Sequence, residues 1–298
     1  MRVATNTVSD GIIRQIQHLS TQQTKLQNQV ASGQRISQAS DDPSAVGRVL
    51  NLESERRQIT QYGRNAGHAL ALAQASYSGL QGIKKISDRA GELAVLGTGV
   101  LGPATLQAYA AETDQLIEQA VAGANTRFLG NYLYAGTAVD APAVSVVRDA
   151  QGQITAATYA GNTDQAAIPL SEAASVTPAT SGATNTGLAD LINNLINLRT
   201  ALLSGSSAAV TAARPGLTAN EDLLVSALAD NGGVQTRIEA SQAQHTDRLL
   251  SVAQSISFET SADLPATMVK LNQAQTAYQA ALQSAANIMH LSLLDYIK

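Results

Sequence analysis

Apolar residues near the N-terminus recur at alternating steps of four and three, beginning at Ile12. One polar position, Gln23, interrupts a stripe that is otherwise made of Ile12, Ile16, Leu19, Leu26 and Val30. This spacing puts the apolar side chains on one face of a helix and is typical of a coiled-coil seam. A helix of this kind is stabilised mainly by burying its stripe, so the pattern predicts a packing partner.

The C-terminal segment repeats the pattern, again with one glutamine, Gln275, in the stripe. Its members are Leu264, Met268, Leu271, Tyr278, Leu282, Ala285 and Met289, and Leu293 and Leu294 follow them. Two similar stripes at opposite ends predict that the termini pair with each other. Only five charged residues lie in residues 1–40 and five in 259–298. Weakly charged outer faces suit burial against further subunits, because a buried unpaired charge is costly.

We therefore assign both stripes, with Leu293 and Leu294, to an assembly interface. A solvated, glutamine-rich helical hairpin within a monomer is the open alternative. Between the ends, Gly33 fits the left-handed position after a helix. Asp42 suits the position that caps the next helix, and Pro43 suits its first turn.

Between the two ends, the sequence pattern predicts helices, then a β segment, then helices. The second helix is expected to run to about Leu96 and a third over about 103–127. Helices return over 188–230 and 234–258, with a break at residues 231–233 (Asn-Gly-Gly). Residues 137–187 lose the helical period, and 144–147 with 154–159 read as a hairpin with a glycine-containing turn.

The expected fold is mainly α. A long antiparallel helical bundle or coiled coil is formed by the N- and C-terminal segments, with a small β-rich insertion domain at one tip. We divide the chain into a terminal coiled-coil domain (1–42 with 259–298), a helical bundle domain (43–136 with 188–258) and the insertion domain (137–187).

Composition narrows the possible functions. The net charge of −4 is too small to indicate nucleic-acid binding, and no apolar run reaches the ~20 residues of a membrane-spanning helix. With no cysteine and four scattered histidines, the sequence offers no thiol nucleophile and no ligand cluster. We expect no enzyme activity, cofactor, metal or membrane insertion. The N-terminus has no conventional secretory signal.

Several motifs resemble those of bacterial flagellins and their hook–filament junction relatives. Residues 31–36 (Ala-Ser-Gly-Gln-Arg-Ile) and 40–45 (Ser-Asp-Asp-Pro-Ser-Ala) resemble the N-terminal signature of that family. Residues 64–66 (Arg-Asn-Ala) and 130–137 (Gly-Asn-Tyr-Leu-Tyr-Ala-Gly-Thr) continue the resemblance. The Asp-Asp-Pro form and the ending at 291–297 (Leu-Ser-Leu-Leu-Asp-Tyr-Ile) are similar to the junction relatives in particular.

The resemblance implies a structural subunit that forms the junction between hook and filament after flagellar type III export. It further implies a homo-oligomeric ring, neighbouring hook-associated and flagellin subunits as partners, and an export chaperone that binds near the C-terminus. A flagellin, the bulk filament subunit, is one alternative. A soluble coiled-coil scaffold protein is the other.

Overall fold

Six helices and three pairs of short strands follow one another in the part of the chain that the structure describes. The structure is a computed structural model that describes residues 2–99 and 101–296, and side chains at 10–99 and 101–287. Helices make up 72% of the chain. In chain order the elements are α1 (Arg2–Ser32), α2 (Pro43–Leu96), α3 (Pro103–Ala124), β1 (Arg127–Phe128), β2 (Asn131–Tyr132), β3 (Val144–Arg148), β4 (Ile154–Tyr159), β5 (Ile168–Pro169), β6 (Ser175–Val176), α4 (Gly182–Leu203), α5 (Ser207–Thr260) and α6 (Leu264–Tyr296).

The chain separates into two compact units. The terminal unit comprises the residues up to Gln58 and those from Leu249 onward, and the central unit is Ile59–Arg248. In the terminal unit α1 packs along α6, which confirms that the two ends of the chain pair. The mainly helical class with a small β region is confirmed as well. The division into three domains stays a prediction.

The core of the central unit lies where α3 packs on α4 and α4 packs on β4. Its largest fully buried side chains are aliphatic, with one tyrosine, and include Leu80, Ile83, Ile117, Leu191 and Leu195. Alanines such as Ala90 and Ala120 are also fully buried beside them. Small side chains let neighbouring helices approach closely, which explains how a chain with few aromatic residues fills its core.

The predicted hairpin of the β segment is present as β3 and β4, in antiparallel register from Val144 opposite Tyr159. Gly152 adopts φ +85° in its turn, a conformation that favours glycine. Arg199 of α4 is buried and donates to the Ile154 carbonyl at 2.7 Å while it pairs with Asp114 of α3. These contacts tie the hairpin to both helices, and removing Asp114 would leave the buried Arg199 charge without its ion-pair partner.

The expected break at residues 231–233 is wrong, because α5 runs without interruption from Ser207 to Thr260. Each glycine costs about 1 kcal/mol relative to alanine within a helix. Burial of flanking positions outweighs that cost: Asn231 is buried and Ile238 is fully buried in a cluster with Leu170 and Val176. Tertiary packing thus overrides the local glycine signal.

Candidate assembly surface

The α1 stripe lies partly covered in the terminal unit. Leu26 is buried there, whereas the remaining members, Ile12, Ile16, Leu19 and Val30, are half-buried. Gln23, the polar interruption, is half-buried too. One neighbouring helix therefore covers this face incompletely, as expected for a stripe with room for further partners.

The α6 stripe is divided between two faces of the helix. The buried positions of the described part of α6 are Thr267 and Ala274, which the predicted stripe did not include. Leu271, Tyr278 and Ala285 of the stripe are half-buried, in heptad register with those two residues. Leu264, Met268 and Leu282 are exposed instead. The two buried side chains are thus small, whereas three large aliphatic members of the stripe are exposed.

We call the second set, Leu264, Met268 and Leu282, the open stripe of α6. The side chains of Met289, Leu293 and Leu294 lie outside the described residues, so the structure gives no position for them. The assignment of both terminal stripes to an assembly interface stays a prediction.

A loop over residues 33–42 joins α1 to α2 and touches the junction between α5 and α6. Gly33 adopts φ +68°, and its amide donates to the Gln29 carbonyl, which closes α1. The Arg35 amide donates to the Thr260 carbonyl at 2.7 Å, and the Ala262 amide donates to the Gly33 carbonyl at 2.9 Å. These bonds tie the two helix junctions together by their backbones.

Two neighbouring aspartates organise that loop. Asp41 accepts hydrogen bonds from the Ser37 and Gln38 amides at 3.0 Å and pairs with Lys25 at 2.8 Å. Lys25 and these amides hold the pKa of Asp41 well below its usual range, because each favours the charged form.

Asp42 caps α2, which begins at Pro43. Its Oδ1 accepts from the Ala45 amide at 3.0 Å, and its Oδ2 pairs with Arg35 at 2.9 Å. The Ala45 amide, followed by Arg35, lowers the pKa of the Asp42 carboxyl. Proline suits the first helical position because its missing N–H would have no partner there.

A paired arginine and glutamate link α2 to the end of α5. Arg48 donates through Nε and a terminal nitrogen to the two Glu259 oxygens, each at 2.8 Å. Arg35 also donates to the Glu259 carbonyl at 2.8 Å. The Arg48 guanidinium lowers the pKa of the Glu259 carboxyl, because it stabilises the ionised form.

Beside this pair Phe258 projects with 87% of its surface exposed. It borders a shallow cavity of about 680 Å³ that Leu52 and Arg48 also line. Leu50 and Leu250 are exposed apolar residues of the same unit. The periodicity of the terminal stripes gave no indication of these three positions, because they lie on α2 and α5, outside the two segments that carry the stripes.

The exposed side chains of this surface are suited to packing against another protein. No group of three or more histidine, aspartate or glutamate side chains in the described ranges could hold a metal ion. Across those same residues, no helix is both long and apolar enough to traverse a bilayer. The terminal unit exposes aliphatic and aromatic side chains next to a loop whose charged residues are paired.

Parts of the chain are similar in sequence to bacterial flagellar proteins. Residues 3–139 match the bacterial flagellin N-terminal helical region. A 97-residue stretch is 31% identical to the flagellar filament 41 kDa core protein of Borreliella burgdorferi. That match spans 32% of this chain and 29% of the Borreliella protein, so the chain covers less than a third of that relative.

Solved structures share the fold over most of the chain. A putative flagellar hook-associated protein from Vibrio parahaemolyticus superposes with a TM-score of 0.66 and 19% identity, over 74% of this chain and 99% of that one. Bacillus cereus FlgL superposes with a TM-score of 0.58 and 18% identity, over 70% of this chain and 99% of that one. The flagellar junction protein FlgL from Legionella pneumophila superposes with a TM-score of 0.56 and 13% identity, over 72% of this chain and all of that one.

The chain therefore has the fold of these flagellar hook-associated and junction proteins, and its N-terminal part matches the flagellin N-terminal helical region. These findings confirm the family resemblance that the sequence motifs indicated.

Proposed function

We propose that this chain is a structural subunit of the bacterial flagellum, of the hook-associated protein 3 type, at the junction between hook and filament. The observation that carries the proposal is the FlgL-like fold, which extends over 70–74% of this chain and nearly all of each neighbour. The flagellin N-terminal region over residues 3–139 supports it.

The open stripe of α6 supplies a physical reason to assemble. Fully burying a leucine or methionine side chain gains about 1.5–3 kcal/mol. Met268 and Leu282 are about half exposed, so each would gain on the order of 1 kcal/mol when a neighbour covers it. A ring of copies would repeat that gain at every interface, with hook-associated and flagellin subunits as the neighbours along the axis.

The same proposal implies how the chain is exported to the flagellum. It would leave the cell by flagellar type III export, with a cytoplasmic chaperone bound near its C-terminus before export. Its role would be structural, without an enzymatic step.

A strain that lacks the chain tests the proposal. We expect bare hooks and the release of filament protein into the medium, because the filament would have nothing to attach to. Supplying the unmodified chain should restore filaments. A double variant, Met268→Gln with Leu282→Gln, should fail to restore them while keeping its helix content by circular dichroism.

The matched control is Val147→Gln, which alters an exposed apolar residue outside the terminal unit. It should restore filaments fully. Normal filaments on the strain that lacks the chain would overturn the proposed function.

A flagellin is the second candidate, favoured by the match to the Borreliella filament core protein. Purified chain that polymerises into long filaments would support that function. A junction subunit should instead remain short or monomeric under the same conditions.

A further inference from the structure

A cavity of about 480 Å³ lies between α2 and α5 in the central unit. Its volume is within the range of about 300–1,000 Å³ that ligand pockets usually have. Charged and hydroxyl side chains line it together with apolar ones such as Val95 and Leu217. The cavity thus offers a ligand both polar groups and an apolar wall.

One side chain of the lining has an unmet hydrogen bond. Ser87 of α2 is 3% exposed, and its hydroxyl has no hydrogen-bond partner among the described residues. Buried hydroxyls on helices commonly donate to the carbonyl four residues earlier, as Thr113 does to Tyr109 at 2.8 Å. Ser76 carries the other described hydroxyl of this kind, and it does not line the cavity. Because an unpaired buried hydroxyl destabilises the fold, a ligand that accepts the Ser87 proton would be bound favourably.

The charges of the lining leave one cation without a partner. Lys84 donates to both carboxylate oxygens of Asp88, at 2.7 and 2.9 Å, and its Nζ lies 3.8 Å from a carboxylate oxygen of Glu221. Arg214 makes no ion pair or hydrogen bond with any residue that the structure describes. The guanidinium group of arginine can hold a carboxylate through two parallel hydrogen bonds. An anion is therefore the group that this lining lacks.

Two contacts show how α2 and α5 are aligned. At one end of the cavity, Lys84 of α2 lies beside Glu221 of α5. Beyond the other end, the Ser207 hydroxyl donates to the Thr98 carbonyl at 2.9 Å. The interval from residue 84 to residue 98 equals that from 207 to 221, so the two helices are antiparallel. Residues 91 and 214 are midway along these intervals and therefore lie opposite each other.

Gly91 is the residue opposite Arg214, and it keeps the cavity open at this level. A Cβ atom added at Gly91 would meet nothing within 4 Å, so the space that a side chain would take is empty. Glycine is unfavourable within a helix, and no close contact requires it here. Ser87 lies four residues earlier on α2, on the same face of the helix. The open space is thus bordered by a guanidinium and a hydroxyl that both lack a partner.

We infer that this cavity binds a carboxylate group beside Gly91, where the group accepts hydrogen bonds from the Arg214 guanidinium and the Ser87 hydroxyl. The apolar wall at Val95 and Leu217 suits the aliphatic part of such a ligand. A small organic acid carries this group, and so does an aspartate or glutamate side chain of a neighbouring subunit. The inference goes beyond the proposed function and does not depend on it, because binding is measured on the purified chain.

NMR titration of the isotope-labelled chain at constant ionic strength tests the binding. Butyrate is the free-acid probe, and butyramide is its uncharged counterpart of similar shape. Butyrate should shift the Ser87 and Gly91 amide resonances in a saturable way and should bind at least tenfold more tightly than butyramide. Equal binding of the two probes would overturn the inference.

A second pair of probes identifies the source of the carboxylate. An alanine-based helical peptide with one glutamate represents the side chain of a protein, and the same peptide with glutamine is its control. Tighter binding of the glutamate peptide than of butyrate would assign the site to an acidic side chain, and weaker binding would assign it to a free acid. Absence of saturable shifts with both carboxylate probes would overturn the inference.

Two variants test the groups that hold the carboxylate. Arg214→Gln and Ser87→Ala should each weaken carboxylate binding at least fivefold. Ser87→Ala should also keep or raise the urea midpoint, because it removes a buried hydroxyl that has no partner. The matched control is Lys85→Gln, which removes an exposed positive charge of α2 outside the cavity lining and should leave binding unchanged. Unchanged binding in Arg214→Gln would overturn the inference.

Filling the open space separates binding from stability. Gly91→Leu should reduce carboxylate binding at least tenfold while raising the urea midpoint, because leucine favours a helix more than glycine does. Gly82→Leu is the matched control, since Gly82 is another glycine of α2 with open space around it and does not line the cavity. It should raise the midpoint and leave binding unchanged. Equal binding in the two leucine variants would overturn the proposed site.

Discussion

A buried tyrosine hydroxyl occupies the space that a side chain at Gly79 would need. Tyr134 is fully buried, and its hydroxyl donates to the Ser76 carbonyl of α2 at 3.0 Å. A Cβ atom built on Gly79 would lie 2.2 Å from that hydroxyl oxygen and 3.3 Å from the ring carbon that bears it. The first distance is a severe clash, and the second is a tight contact that small shifts relieve. We therefore predict that the effect of Gly79→Ala depends on the Tyr134 hydroxyl.

The expected free energies follow from this geometry. In the unmodified chain, overpacking costs about 1–3 kcal/mol. Replacing a helical glycine by alanine stabilises the helix by up to about 1 kcal/mol, which offsets part of the overpacking cost. Gly79→Ala should therefore be neutral to destabilising by about 2 kcal/mol. Tyr134→Phe alone should cost about 0.5–1.5 kcal/mol for the lost hydrogen bond. In the Tyr134→Phe background, Gly79→Ala should become neutral or stabilising, because the clashing oxygen is absent.

Urea denaturation of the four chains, followed by circular dichroism, measures the coupling between the two positions. We expect a coupling free energy of about 1–3 kcal/mol between them. Gly79→Ala alone tests the clash, and the double variant tests its origin. An effect of Gly79→Ala that is the same in both backgrounds would refute the proposed origin of the glycine requirement.

Three further predictions concern the core, the loop and the C-terminus. Leu195→Ala should lower the free energy of unfolding by about 2–5 kcal/mol in urea, because the side chain is fully buried; a loss below 1 kcal/mol would contradict that packing. Because the folded pKa of Asp41 is lowered, its contribution to stability is complete well above pH 3.8 and is lost as the pH falls below that value. The Ser37 and Gln38 amide resonances should therefore titrate with a midpoint below 3.8, and a midpoint at or above it would exclude the charged hydrogen bonds. Removing residues 289–298 should leave a soluble helical chain that cannot join a filament, and normal motility would count against the terminal stripes.

Helices α1, α2 and α6 were predictable because their evidence is local, whereas α5 was wrongly divided at residues 231–233. The second helix was expected to run to about Leu96, and α2 does end there after 54 residues, or 15 turns at 3.6 residues each. The caps are equally local, since Asp42 and Pro43 act on the helix that they begin. The β3–β4 hairpin follows from two β-type runs joined by a glycine turn.

Other features depend on contacts that the sequence does not display. Arg48 and Glu259 are 211 positions apart, so no spacing rule connects them. The β1–β2 hairpin has strands of two residues, too short for an alternating pattern. Its turn contains Leu129 at φ +51°, and leucine is not a residue type that such turns favour. For α6, the period indicated the apolar positions, but close packing in the terminal unit selected the small Ala274 for burial and left Met268 open.

Immunogold labelling of isolated hook–filament structures tests the central claim most directly, namely that this chain is a junction subunit. Antibodies raised against the purified chain should label one narrow band at the boundary between hook and filament. Label distributed along the whole filament would indicate a flagellin instead, and structures without any label would contradict a flagellar role.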